Sequence, residues 1–330
     1  MQITVLGGGS WGTALAHILA NKGRKVALLV RREEAAREIM EKRENSRYLP
    51  GLPLSPNITA TASPAEALQG AEICILAIPC QHMRHVLQEL TPLIPEGAIP
   101  VCASKGIEID SLESMRDVVR DVLPRQAASY AILSGPSFAR EAVENKPSAV
   151  VLGCADAAMA EVLREHLSTS TFRVYSSTDI IGVELGGAVK NVMAIAAGIC
   201  DGLRLGNNAR AALITRGLAE MSRLGAAMGA RESTFMGLSG MGDLVLTCTG
   251  DLSRNRQVGL RLAAGESIRH ICESMLMVAE GVKTTEAICA LADKHGIDLP
   301  LSRAVYRIIH EGTAPADMVE ELMTRTLREE

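Results

Sequence analysis

The apolar positions in the first half of the chain fall into short continuous runs, separated by stretches with helical spacing. Residues 2–6 form the first β run, and apolar residues recur at helical intervals over 11–21. Residues 25–30 make a second β run. Residues 73–78 are almost wholly apolar, which suits a parallel strand covered on both faces. Residues 99–103 and 131–133 read as further strands, and 149–152 and 173–175 extend the same sheet. Strands alternating with helices imply an α/β fold with a doubly wound, mostly parallel sheet.

Near residue 178 the pattern changes. The β-branched runs fade, and Ala-, Leu- and Met-rich helical periodicity takes over, most clearly at 180–203, 209–228 and 277–295. Gly296 stands where a helix C-cap belongs, with Pro300 soon after. The expected division is an α/β domain over residues 1–178 and an all-α domain over 179–330, with a ligand in the cleft between them.

Composition narrows the function. A chain of 330 residues has room for about two domains. Aromatic residues make up only 2%, so the core is aliphatic, with 14 Met filling gaps. Stacking platforms for single-stranded nucleic acid are not expected. Nor is a DNA-binding surface, since Lys+Arg 34 against Asp+Glu 38 gives net charge −4. The most apolar helical stretch, 192–200, is too short to span a bilayer. The chain opens Met1-Gln2-Ile3-Thr4-Val5-Leu6, without a cationic leader, and a cytoplasmic location is expected. Eight cysteines, at 74, 80, 102, 154, 200, 248, 272 and 289, show no zinc-like spacing. They read as reduced, buried small hydrophobes. His82 and His85 stand three apart without an evident third ligand, so a solvated helix face is the better reading and no metal is expected.

Gly7-Gly8-Gly9-Ser10-Trp11-Gly12 places glycines 7, 9 and 12 between the first strand and the first helix. In that context the pattern reads as a dinucleotide-binding, Rossmann-type turn, with the pyrophosphate on the helix N-terminus. An acidic residue that would hold the ribose of NAD belongs at the end of the second strand, but Val30-Arg31-Arg32 stands there. The two guanidinium groups could pair with a 2′-phosphate, which points to NADPH with NADH tolerated. The alternative is a solvated Arg-Arg-Glu-Glu surface run.

Further polar residues sit in shaped contexts. Lys105 follows a predicted strand and so lies at a carboxyl end. Ser134-Gly135-Pro136-Ser137 follows another. Lys190 interrupts an apolar helix, where burial lowers the pKa of a lysine toward that of a proton-transfer group. Residues 237–244 form a second Gly-rich loop, ending in Asp243-Leu244. Ser253-Arg254-Asn255 reads as a capped helix start, and dipole, N–H groups and guanidinium there favour an anion. Taken singly, a buried lysine snorkels and a Ser-Arg-Asn only caps. Their occurrence in one chain with a dinucleotide turn points to a shared site.

With these blocks in view, the sequence resembles the bacterial NAD(P)-dependent glycerol-3-phosphate dehydrogenases over nearly its whole length. The resemblance is carried by GGGSWGTALA at 7–16, RYLPG at 47–51, SKGIE at 104–108, LSGPSFA at 133–139 and ELGGAVKNVMAIAAGICDGL at 184–203. It continues in NARAALITRGLAEM at 208–221, GLSGMGDLVLTCTG at 237–250, SRNRQVG at 253–259 and VAEGV at 278–282. It implies a Rossmann-type sheet followed by an all-α domain like that of 6-phosphogluconate dehydrogenase. It implies reduction of dihydroxyacetone phosphate to sn-glycerol 3-phosphate, a precursor of glycerophospholipids, by a homodimer without membrane insertion. By resemblance, Lys190 is the proton acceptor when glycerol 3-phosphate is oxidised, flanked by Lys105 and Asp243. Arg254 and Asn255 would grip the substrate phosphate, with Gly135, Ser137, Asn191 and Ser253 completing the pocket. The cofactor would touch Ser10, Trp11, Arg31, Arg32, Tyr48, Lys105, Ala139, Arg254, Val278 and Glu280.

Two rivals stand beside this reading. One is a hydroxyacid or 6-phosphogluconate dehydrogenase, against which the Ser253-Arg254-Asn255 site and the 240–243 segment argue. The other is a non-catalytic dinucleotide sensor, which would not require Lys190 with Asp243.

Overall fold

The computed structural model describes residues 1–275 and 279–326. Eight strands form one sheet: β1 (Ile3–Leu6), β2 (Val26–Leu29), β3 (Ile58–Thr61), β4 (Ile73–Leu76), β5 (Ile99–Cys102), β6 (Ala131–Ser134), β7 (Ser148–Cys154) and β8 (Phe172–Ser177). The order is β3-β2-β1-β4-β5-β6-β7-β8. All neighbours are parallel except β6 and β7, which pair antiparallel. β1, β4, β5 and β6 are buried at every residue, as their unbroken apolar runs require of strands between two helical layers. β3 has no counterpart among the expected strands. It is a four-residue edge strand that alternates buried and open positions, too short for period-2 patterning to stand out.

The second half is helical. The central helix, Ile180–Gly202, is capped by Asp179, whose carboxylate accepts the Gly182 N–H at 3.0 Å. At 23 residues it is long and apolar enough to cross a membrane, contrary to the shorter stretch expected from sequence. Of its most apolar window, 94% is buried inside the protein. Around it pack Gly206–Ala227, Asp243–Thr249, Arg254–Ala263, Glu280–His295 and Pro300–His310. The expected helix over 277–295 is seen from Glu280; residues 276–278 lie outside those described. Gly296 closes it in the left-handed conformation at φ 66°.

The central helix also joins the two halves. Ile180 and Val183 pack into the sheet's core, while Leu185 to Ile199 build the helical core. Glu184, buried between the halves, accepts hydrogen bonds from Tyr130 Oη at 2.7 Å and the Arg116 N–H at 2.9 Å. Burial pushes its carboxyl up to about 7, against those donors.

Two further expectations need correction, and one holds. Seven cysteines are buried, but Cys272 is exposed. His82, which ends a 3₁₀ turn, and His85, on the next helix, are both exposed, as a solvated face requires, and His85 meets Glu89 at 3.3 Å. Residues 237–244 are not a loop: Leu238–Gly242 is a π-helical turn that runs straight into the helix beginning at Asp243. Of its two glycines, Gly240 is the one the packing demands: a Cβ there would lie 2.1 Å from the Phe235 carbonyl oxygen.

Candidate active site

The carboxyl ends of β1, β4, β5 and β6 line one edge of the sheet, because these strands are consecutive parallel neighbours. The chain switches direction across the sheet between β1 and β4, where open α/β sheets form their ligand crevice. β1 delivers the glycine turn there. Gly7 has φ +115°, and a Cβ on it would lie 2.4 Å from the Ala77 carbonyl oxygen. A Cβ on Gly12 would lie 2.0 Å from the Gly7 carbonyl oxygen, whereas one on Gly9 would meet nothing within 4 Å. The turn is therefore tight beneath and open above. Helix Ser10–Ala20 begins at this opening behind Gly9, an N-cap residue with no side chain of its own to cover the first N–H groups. These features fit a dinucleotide diphosphate.

Other expected cofactor residues surround the turn. Arg31 and Arg32 are exposed just past β2. Tyr48 is half-buried, with the Arg47 guanidinium 5.6 Å from its ring centre. The Trp11 indole packs on Phe172, centroids 6.3 Å apart, so what Trp11 can offer a phosphate is its backbone N–H. Ala139 packs beside Trp11 against Ala14 and Leu49. Val278 lies outside the described residues.

Next to the turn, β5 leads to Lys105, β6 leads to Gly135, and the central helix carries Lys190. All meet at Asp243. Its Oδ2 is 2.5 Å from Lys105 Nζ and its Oδ1 is 3.1 Å from Lys190 Nζ. Lys105 Nζ also donates to the Gly135 carbonyl at 3.1 Å, and Ser137 Oγ donates to the same oxygen at 3.0 Å. Lys190 Nζ donates to Thr247 Oγ1 at 2.9 Å, and that hydroxyl donates in turn to the Asp243 carbonyl at 2.6 Å. An ammonium has three N–H donors. Each lysine spends two on protein oxygens and keeps one for a ligand.

Burial tunes the cluster. Desolvation lowers the Lys190 pKa to about 8, with Lys105 adding to the fall and Asp243 opposing it. Burial alone would raise Asp243, but the two ammonium groups outweigh it and hold the carboxyl below its usual range. Two cations and one anion leave the cluster net positive, which favours an anionic oxygen beside it.

The helix Arg254–Ala263 brings the end expected to favour an anion. Ser253 Oγ caps it, accepting the Arg256 N–H at 3.2 Å. Arg254 is its first residue and is exposed. Asn255 Nδ2 donates to Asn191 Oδ1 at 2.9 Å, and its Oδ1 accepts the Gly281 N–H at 3.0 Å. This ladder ties three helices together beside Lys190. Gly198 and Gly259 let the Arg254 helix lie directly on the central helix: a Cβ on Gly198 would stand 2.1 Å from the Arg256 carbonyl oxygen. The Glu280 carboxyl feels Arg254, Lys190 and Lys105 together. Burial raises its pKa, and Arg254 is the strongest opposing charge.

Thr247 was not foreseen. It stands one helical turn after Asp243, and that i, i+4 spacing is the signal that would have found it. Among the described residues no group of three or more His, Cys, Asp or Glu converges on a metal position.

A dinucleotide crevice facing a buried Lys–Asp–Lys cluster defines the class: an NAD(P)-dependent oxidoreductase with a Rossmann-type sheet and an all-helical C-terminal domain. Comparison with known proteins sharpens this. Residues 2–160 match the NAD-dependent glycerol-3-phosphate dehydrogenase N-terminus, and residues 179–320 match the C-terminus of the same family. The chain belongs to that family. Curated relatives named glycerol-3-phosphate dehydrogenase [NAD(P)+] include one from Nitratidesulfovibrio vulgaris, 61% identical over all of both chains. One from Geobacter sulfurreducens is 51% identical over all of this chain and 98% of its own. The crystal structure of glycerol-3-phosphate dehydrogenase from Coxiella burnetii superposes with TM-score 0.93 at 41% identity, covering 98% of this chain and 99% of that one.

Proposed function

We propose that the protein reduces dihydroxyacetone phosphate to sn-glycerol 3-phosphate with NADPH, accepts NADH as an alternative, and runs the reverse oxidation. The observation that carries this reading is Asp243 bridging Lys190 and Lys105 beside the Arg254 helix. The full-length relatives named for this activity support it.

When bound, the nicotinamide ring supplies the hydride. The chain's own residues do the rest. Arg254 holds the substrate phosphate, with Asn255, Asn191, Gly135, Ser137 and Ser253 shaping the pocket. Ser253 acts through its cap, which fixes where Arg254 starts. The free N–H of Lys190 meets the ketone oxygen, stabilises the alkoxide as it forms, and donates its proton. In oxidation, neutral Lys190 takes the proton back. Lys105 adds a second donor, and Asp243 with Thr247 aims Lys190. Ser10, Trp11, Gly7, Gly9 and Gly12 line the diphosphate end. Arg31 and Arg32 select the 2′-phosphate, and Tyr48, Ala139, Val278 and Glu280 complete the cofactor contacts.

Residues 1–178 form the cofactor domain and 179–330 the substrate domain, consistent with β8 ending at Ser177 and the central helix starting at Ile180. The product feeds glycerophospholipid synthesis. A cytoplasmic homodimer, joined through its apolar helical half, completes the reading.

Lys190→Ala tests it. The variant is expected to lose kcat on dihydroxyacetone phosphate by about 10²–10⁴-fold, the usual contribution of a positioned proton donor, while NADPH still binds. Turnover close to the wild-type value would remove Lys190 from the chemistry.

A further inference from the structure

Asn45 is only 4% exposed, yet it lies in an irregular segment, 43–52, in which only Tyr48 has been given a role. Its Nδ2 donates to the Gly8 carbonyl at 3.0 Å and to Thr13 Oγ1 at 2.8 Å. The segment that carries it is itself held. The Asn45 carbonyl accepts the Tyr48 and Leu49 N–H groups at 3.1 and 2.8 Å. Glu44 Oε1 accepts the Gly51 N–H at 2.9 Å, and Leu49 and Leu52 pack against Ala14 and Val143. Asn45 is thus a fixed donor presented to the middle of the glycine turn.

What it fixes follows from peptide geometry. A trans peptide is planar, and its C=O and N–H point opposite ways. No peptide bond in the described structure is cis. Holding the Gly8 carbonyl toward Asn45 therefore turns the Gly9 N–H toward the open space above Gly9. Glycine peptides reorient easily, because φ is nearly unrestricted on either side. A flipped Gly8–Gly9 peptide would present a carbonyl oxygen to an incoming diphosphate and repel it.

We propose that Asn45 is a positioning residue for the cofactor: it locks the Gly8–Gly9 peptide with its N–H toward the diphosphate. This rests on reading the glycine turn as the diphosphate site. The diphosphate is common to NADPH and NADH, so the lock serves both equally, whereas Arg31 and Arg32 act only on the 2′-phosphate.

The test is direct titration of the full-length protein with NADPH and NADH by cofactor fluorescence, for wild type, Asn45→Asp and Asn45→Ala. Asp keeps the shape but replaces the donor with an acceptor facing the Gly8 carbonyl. Ala removes the side chain and covers the case in which Asp fails to fold. Both Kd values are expected to rise by a common factor of about ten, the loss of roughly one hydrogen bond's worth of binding. With cofactor saturating, kcat stays close to the wild-type value. Unchanged Kd values in a folded variant, with or without a lowered Tm, would overturn the lock and leave Asn45 purely structural. A rise for NADPH alone would overturn it too, by assigning Asn45 to the 2′-phosphate. Wild type binding neither cofactor would overturn the glycine-turn reading and the lock with it.

Discussion

At the residue scale the account turns on one ammonium. Lys190 is buried, its pKa pulled to about 8, and its remaining donor is aimed by Asp243 and Thr247. Reduction needs the protonated form as donor; oxidation needs the neutral form as acceptor. The two directions should therefore depend on pH in opposite senses around about pH 8. With cofactor and substrate saturating, kcat for reduction should fall as pH rises through that point and kcat for oxidation should climb. Parallel profiles in the two directions would mean that another group titrates in the rate-limiting step. Lys190 was legible in the sequence because a charge inside an apolar helix is conspicuous. Thr247 and Asn45 were not, because a hydroxyl or an amide acquires its role only through partners that the fold brings near.

At the element scale, the site depends on two helices lying almost in backbone contact. A Cβ added at Gly198 would stand 2.1 Å from the Arg256 carbonyl oxygen, and neither helix can yield without moving Arg254 and Asn255. Gly198→Ala is expected to cost about 1–3 kcal/mol of stability, as overpacking does. It should also raise KM for the phosphorylated substrate more than the Kd for NADPH, since the glycine turn sits on the other half and Arg254 is the one expected cofactor contact on that helix. Thermal melts and steady-state kinetics read both effects; a variant with unchanged Tm and KM would show that the close packing does not set the phosphate site.

The elements were unevenly legible. Strands buried on both faces announced themselves as unbroken apolar runs, and the central helix by its length. β3 stayed hidden because an edge strand of four residues lacks a pattern of its own. Residues 237–244 read as a loop because three glycines in eight residues signal irregular backbone, whereas here the chain makes a π-helical turn that runs into the helix starting at the buried Asp243. Lys105 could be placed at a strand end, and Lys190 inside an apolar helix, from sequence alone. The resemblance set Lys105 and Asp243 beside Lys190; that one carboxylate bridges both lysines needed the fold, since Asp243 is 138 residues from Lys105.

At the scale of the whole molecule, a chain of net charge −4 gathers Lys105, Lys190 and Arg254 within reach of one carboxylate, Glu280. Cations focused in a cleft of a mildly acidic protein suit small anionic ligands rather than a polyanion's surface. Both proposed ligands, a dinucleotide phosphate and a three-carbon phosphate ester, are of that kind. The most direct measurement is NADPH consumption by the wild-type protein with dihydroxyacetone phosphate, unphosphorylated dihydroxyacetone and a set of 2-keto acids, at equal concentrations. The account predicts rapid consumption with dihydroxyacetone phosphate, and a far lower kcat/KM for every ketone that lacks the phosphate. Comparable rates with and without the phosphate, or preference for a keto acid, would contradict it.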